Sequence, residues 1–211
     1  MRTKLQCVQD IMRRVGKPPV TALDPGGISI AAHIERALDD ASISVQSQGW
    51  YWNTKRNVTA TANGDGKVQV NQLENVADIG QTASYATIFH VDTDQDSVDT
   101  NVVRQGDFLY DVDENSDTSF SGTLKILYTW ERPINQVPSQ FQEWIISLAA
   151  MNFNRQNEQN VGRDQILQSE MADARMKSIR EEVRSQDINL LGINEARQFR
   201  GRPRMKDWSV Y

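Results

Sequence analysis

Apolar positions recur along this chain at two different spacings, and the spacing changes twice. Val8, Ile11, Met12 and Val15 fall at i, i+3, i+4 and i+7, which is one stripe of an amphipathic helix. Gly16 supplies the left-handed position that ends a helix at little cost. Pro18 and Pro19 lack the amide hydrogens to continue it, and Pro18 drives Lys17 into an extended conformation. Asp24-Pro25-Gly26-Gly27 reads as a turn, after which Ile30, Ile34, Ala37, Leu38, Ala41 and Val45 form a second stripe closed by Gly49. Neither helix is long enough to be stable alone, so each must pack on something else.

From Trp50 to Trp130 the period becomes that of strands. Val58-Thr59-Ala60-Thr61-Ala62, then Asn63-Gly64-Asp65-Gly66, then Lys67-Val68-Gln69-Val70 predicts a β-hairpin. Further predicted strands are Ala86–Val91, Phe108–Val112 and Thr123–Trp130. Short strands broken by Gly, Asn and Asp suggest a small antiparallel sheet or barrel of roughly five or six strands.

After Pro133 the helical period returns. Pro138 and Ser139 open a helix, with Ser139 and Gln142 at capping-box spacing and Phe141, Trp144, Ile145, Leu148 and Met151 or Asn152 on its inner face. Asn157 to Gly162 predicts a turn. A last helix carries Ala172, Met176, Ile179 and Val183, with Leu167 and Met171 beside them. The fold class expected is α+β. A four-helix bundle-like domain is drawn from both chain ends, with a small antiparallel β-domain inserted in it and an extended C-terminal tail. The divisions are 1–49 and 133–186 for the helical halves, 50–132 for the insertion and 187–211 for the tail.

Charge sharpens this division. Residues 57–131 hold thirteen acidic and three basic residues, a balance of −10, so the remainder carries +5 of a net −5. The middle unit is acidic and the flanks mildly basic, as expected of two units with different surroundings. In the last segment Arg197, Arg200, Arg202, Arg204 and Lys206 crowd together, interleaved with Phe199 and followed by Trp208 and Tyr211. Large aromatics among basic groups are interface anchors, so this segment reads as a docking tail.

Composition excludes several classes. At 211 residues, 38% apolar and 24% charged, the chain is of the soluble globular type. It contains no apolar run of membrane-spanning length and no secretory signal. Cys7 is the single cysteine, so no internal disulfide forms, and His33 and His90 have no zinc-site spacing. Asp92-Thr93-Asp94-Gln95-Asp96 begins like a calcium loop, but Ser97 and Val103 stand where that loop requires Gly and Glu. Asp111 to Asp117 likewise lacks the Gly. Gly64-Asp65-Gly66 is a hairpin turn and not a phosphate loop. No groove-entering motif is evident and the charge is negative, which argues against specific nucleic-acid reading. Paired carboxylates among Asp92 to Asp117, with Trp50, Tyr51 and Trp52 as a sugar platform, give the alternative reading of a glycan-degrading hydrolase. A free-standing binding module is the third reading.

The ordered set of Gly16-Lys17-Pro18-Pro19, Gln46-Ser47-Gln48-Gly49-Trp50, Trp130-Glu131-Arg132-Pro133 and the helix bearing Phe141, Trp144, Ile145 and Phe153-Asn154-Arg155 resembles the tail tubular protein A family of short-tailed phages. These proteins are ring-forming adaptors between the portal and the tail nozzle. The resemblance touches both ends of the chain and skips the middle. It implies a structural virion protein of the tail, made in the host cytoplasm, with no enzymatic role, cofactor or metal. It further implies a ring of about twelve copies, closed by a repeated head-to-tail contact. Its partners would be the portal, a nozzle protein similar to tail tubular protein B and, as a further neighbour, the tail fibres. Viral DNA would pass through the lumen without specific binding. Under this reading Arg197, Phe199, Arg200, Arg202, Arg204, Lys206, Trp208 and Tyr211 contact the portal. Asp92, Asp94, Asp96 and Asp99 face the nozzle or the lumen.

Overall fold

The first stripe forms helix α1, Lys4–Arg14, and buries Cys7, Val8, Ile11 and Met12. Thr3 and Gln6 close its start as a capping box, each side chain meeting the other's backbone N–H. At its end Gly16 takes φ +72°, and the N–H groups of Gly16 and Lys17 return to the carbonyls of Arg13 and Met12. That pair of bonds is a Schellman stop. Helix α2, Ile30–Gln46, buries Ile34, Ala37, Leu38, Ala41 and Val45 as predicted, but Ile30 at its first turn is exposed.

The computed structural model of the chain describes residues 1–69, 88–93, 102–118, 120 and 123–185. Within them the fold is α+β, with four helices and small antiparallel sheets. The strands are β1 (Thr54–Thr61), β2 (Ile88–Thr93), β3 (Val102–Gln105), β4 (Phe108–Asp111) and β5 (Thr123–Trp130). One sheet has the order β1-β5-β2, and β3 and β4 form a two-stranded hairpin through Gly106 at φ +63°. The β3 strand has no counterpart among the strands predicted.

The predicted hairpin over 58–70 does not form. The Asn63–Lys67 turn is present, closed by Asn63 N–H to the Lys67 carbonyl at 2.8 Å. Beyond it the chain leaves β1 and goes to β4: Leu109 N–H donates to the Val68 carbonyl, and Gln69 bridges to Phe108. Strand β1 pairs instead with distant β5, from Thr54↔Thr129 to Thr61↔Thr123. Non-local pairing lets β1 and β5 bury Ala60, Ile126 and Tyr128 in one cluster with Val68, Val102, Leu109 and Phe120. A two-stranded ribbon by itself could not shelter them. Val70, Ala86 and Thr87 of the predicted strands lie outside the described residues.

Helix α3, Ser139–Phe153, is the centre of the helical layer and packs against α1, α2 and helix α4, Val161–Ser185. Its burial takes in Ile146, Ala149, Ala150 and Phe153 as well as Phe141, Trp144 and Ile145. The expectation of a single inner face is therefore too narrow, because α3 has neighbours on several sides. The predicted capping box is also absent. Pro138 is the N-cap, with no side-chain cap bond, and Gln142 turns inward instead. Its amide donates to the Ile134 carbonyl at 2.6 Å and accepts from Arg2 N–H at 3.1 Å. Between α3 and α4 a π-turn, Asn154–Glu158, ends at Gln159 in the left-handed region, and Asn160 caps α4 by accepting from Arg163 N–H. The joint thus begins earlier than the predicted turn.

Helix α4 is turned relative to its apolar stripe. Leu167, Ala174, Ser178 and Glu182 are buried, while Ala172, Met176 and Val183 face outward and Ile179 is half-buried. Small and polar side chains can approach α3 closely here because Ser178 Oγ reaches the carbonyls of Ala174 and Gln140 at 3.0 Å.

Candidate functional site

The chain leaves the helical layer after Gln46 and returns to it at Arg132, and these two points are tied together. The Gln46 side chain donates to the Arg132 carbonyl at 2.9 Å and accepts from Arg132 N–H at 2.7 Å. Asn53 does the same for the strands. Its amide donates to the carbonyls of Gln46 and Trp130 at 2.8 and 3.2 Å, and its Oδ1 accepts from Trp50 N–H at 2.7 Å. Both side chains are fully buried. Buried amides so fully paired fix one geometry, because any displacement strands polar groups away from water. Glu182 at the far end of α4 joins the same junction, its carboxylate accepting from Tyr51 N–H at 3.2 Å.

Aromatic packing reinforces the tie. Trp50 meets Phe141 at 4.9 Å and Trp144 at 5.6 Å, and Trp52 meets Phe141 at 5.4 Å. Trp50 Nε1 donates to the Val45 carbonyl at 2.6 Å. Trp52 is buried and Trp50 half-buried, so these rings serve the core and offer no sugar platform; Tyr51 alone is exposed. On the strand side, the guanidinium of Arg132 lies 4.8 Å over the Trp130 ring. Burial lowers the Arg132 pKa from its ordinary value.

A second set of charges clasps the helices. Glu143 of α3 receives Arg2 at 2.6 Å and also Arg14, which reaches on to Glu170 of α4 at 3.1 Å and to Ser147 at 2.6 Å. Burial alone would raise the Glu143 carboxyl, but hydrogen bonds from Arg2 and Arg14 prevail and hold it below the ordinary carboxylate range. The hydrogen bond to Glu143 in turn raises the Arg2 pKa, against the lowering effect of burial. Burial also pushes the Cys7 thiol up to about 11, so it stays protonated and inert near neutrality.

The acidic candidates divide. Asp111 is buried and its Oδ1 accepts from the N–H groups of Asp113 and Glu114, closing its own loop. Asp117 pairs with Lys67 at 2.6 Å. Asp92 lies on β2 opposite Leu127, with its side chain outside what the structure describes. Asp94, Asp96 and Asp99 lie outside the described residues. So does the whole proposed docking segment: Arg197, Phe199, Arg200, Arg202, Arg204, Lys206, Trp208 and Tyr211. Among the described residues no group of three or more His, Cys, Asp or Glu is placed to hold a metal ion. No described helix is long and apolar enough to cross a membrane.

Nothing in the periodicity of the sequence singles out Gln46 or Asn53, the side chains that hold the junction. Gln46 and Arg132 nevertheless sit in two of the stretches that carried the family resemblance, and the fold brings those stretches into contact. What the described residues build is a scaffold, with buried polar side chains spent on fixing one element against another. A family model for tail tubular proteins matches residues 5–188, and the chain belongs to that family. It is therefore a structural protein of the phage tail. No curated protein matches the chain.

Proposed function

We propose that this tail protein is the adaptor ring that connects the portal to the tail nozzle and forms part of the DNA ejection channel. The observation that carries this reading is the family match, which runs from α1 through the strands to the end of α4. The locked junction supports it, because a connector under load must pass force between its two ends without hinging. About twelve copies close by one repeated head-to-tail contact. The helical parts, 1–49 and 133–186, act as a four-helix bundle-like body that builds the ring. The 50–132 unit projects from it toward the nozzle or the lumen. Its acidic residues Asp92, Asp94, Asp96 and Asp99 keep DNA from adhering, since cationic contacts are what hold phosphates. The tail, 187–211, docks on the portal through Arg197, Phe199, Arg200, Arg202, Arg204, Lys206, Trp208 and Tyr211. The hydrolase alternative has nothing in its favour.

Light scattering on the chain alone and with its portal tests the reading, using full-length protein and a version ending at Gln186. The expected result is a complex of about twelve copies on the portal, lost on truncation. Full-length protein that never binds the portal would overturn the adaptor role.

A further inference from the structure

The apolar stripe of α4 that turns away from α3 belongs to neither the helical core cluster nor the side chains packed against it. At about 100° per residue, Ala172, Met176, Ile179 and Val183 fall within an arc of ~60°. That arc lies well round the helix from Leu167, Ala174, Ser178 and Glu182, which seat α4 on α3. Met176 and Val183 are 50% and 54% exposed, and Val161, about three turns before Ala172 on the same line, is 74% exposed. A helix that needs only solubility on its outer side would carry polar residues there. Arg180 and Arg184 flank the stripe and are exposed.

Helix α2 shows the complementary pattern. Its outward line carries Asp40, Ile43 and Ser47, all exposed. Neighbouring Asp39 is already engaged by Lys4 at 2.8 Å, and Arg36 donates to the Gly27 carbonyl at 3.0 Å. An acid one turn from an isoleucine on α2 thus matches a methionine one turn from an arginine on α4. The two helices both pack on α3 and barely touch each other, so their outer faces are separate surfaces of the molecule.

We propose that the outer face of α4 receives the outer face of α2 from a second copy of this chain. Ile43 seats among Met176, Ile179 and Val183, and Asp40 pairs with Arg180 or Arg184. The contact joins two different surfaces, so it is head-to-tail and propagates by rotation. It deepens the ring reading above and rests on it. A stripe ~17 Å long falls short of the ~800 Å² per partner that a stable pair requires, so single contacts are weak and gain strength only in a closed ring.

Disulfide trapping in the full-length chain, mixed with portal and followed by light scattering, tests this. Cys7 is buried and inert, so introduced thiols report alone. Ile43→Cys mixed with Met176→Cys should give a cross-linked dimer, the double variant should give a ladder, and neither single variant alone should cross-link. Asp40→Arg and Arg180→Asp should each cut the yield severalfold, and their combination should restore it. A dimer from Met176→Cys alone would mean a two-fold contact and overturn the proposal. Cross-linking of Met176→Cys to the portal would give the face to the portal and overturn it too. A rise in mass without a mixed dimer would refute this contact and leave the ring standing. No rise in mass under any condition would remove both.

Discussion

The helical layer and the strand region are held by different means. In the helical layer one central helix, α3, is surrounded, and Ile11, Ile34, Phe141, Ile145 and Phe153 share a single apolar cluster that has twenty-two buried members among the described residues. Among the described residues the strand region has a cluster of Ala60, Val68, Val102, Leu109, Phe120, Ile126, Tyr128 and Trp130, built by partners far apart in sequence. The helices would survive the loss of any one polar contact better than the strands would, because most of their free energy is in apolar burial. The strands depend on where they are anchored. The difference teaches that the two regions are fixed to one another at the junction, where the buried amides of Gln46 and Asn53 bind them together.

Three substitutions break or sharpen that contrast. Phe141→Ala removes the ring on which Trp50 and Trp52 both rest. It should cost about 3–5 kcal/mol and lower the thermal midpoint of the whole chain. A loss below about 1 kcal/mol would show that the aromatic cluster is not central. Asn53→Ala strands the Trp50 N–H and takes a buried donor from the Gln46 and Trp130 carbonyls, at about 2–3 kcal/mol by urea titration. Hydrogen exchange should quicken in β1 and β5 more than in α1, and equal acceleration would contradict the anchoring role. The smallest effect belongs to Glu143→Gln. The Glu143 pKa is depressed on folding, so its contribution is present above the unfolded value near 4.5 and fades as pH falls through the folded one. The variant should lose at most about 1 kcal/mol at neutral pH and show a flatter decline of stability with acid than the parent. Parallel pH profiles would remove the Arg2–Glu143–Arg14 clasp from the account of acid sensitivity.

Sequence pattern located α1, α2 and β5 well because their burial follows from local periodicity. The stripes Val8–Val15 and Ile34–Val45 are buried, and β5 runs over the predicted Thr123–Trp130. It misjudged α4, because the inner face of a helix is chosen by its neighbour. Ser178 and Glu182 lie off the apolar stripe and are polar, and only α3 and Tyr51 supply the partners that let them be buried. It misjudged the hairpin for a related reason. The Asn63-Gly64 turn is a local signal and forms, but pairing is decided by which strands can share a core. The junction was legible only as resemblance, since nothing in periodicity marks Gln46 or Asn53 as buried.

Strand pairing that starts at Thr54 and Thr129 has an evolutionary consequence. Everything between those residues departs and returns through one narrow doorway. Lengthening such an excursion is cheap, since each doubling of its length adds only ~0.6 kcal/mol of closure entropy. Lineages can therefore swap or enlarge the excursion to suit new neighbours while inheriting the helical chassis unchanged.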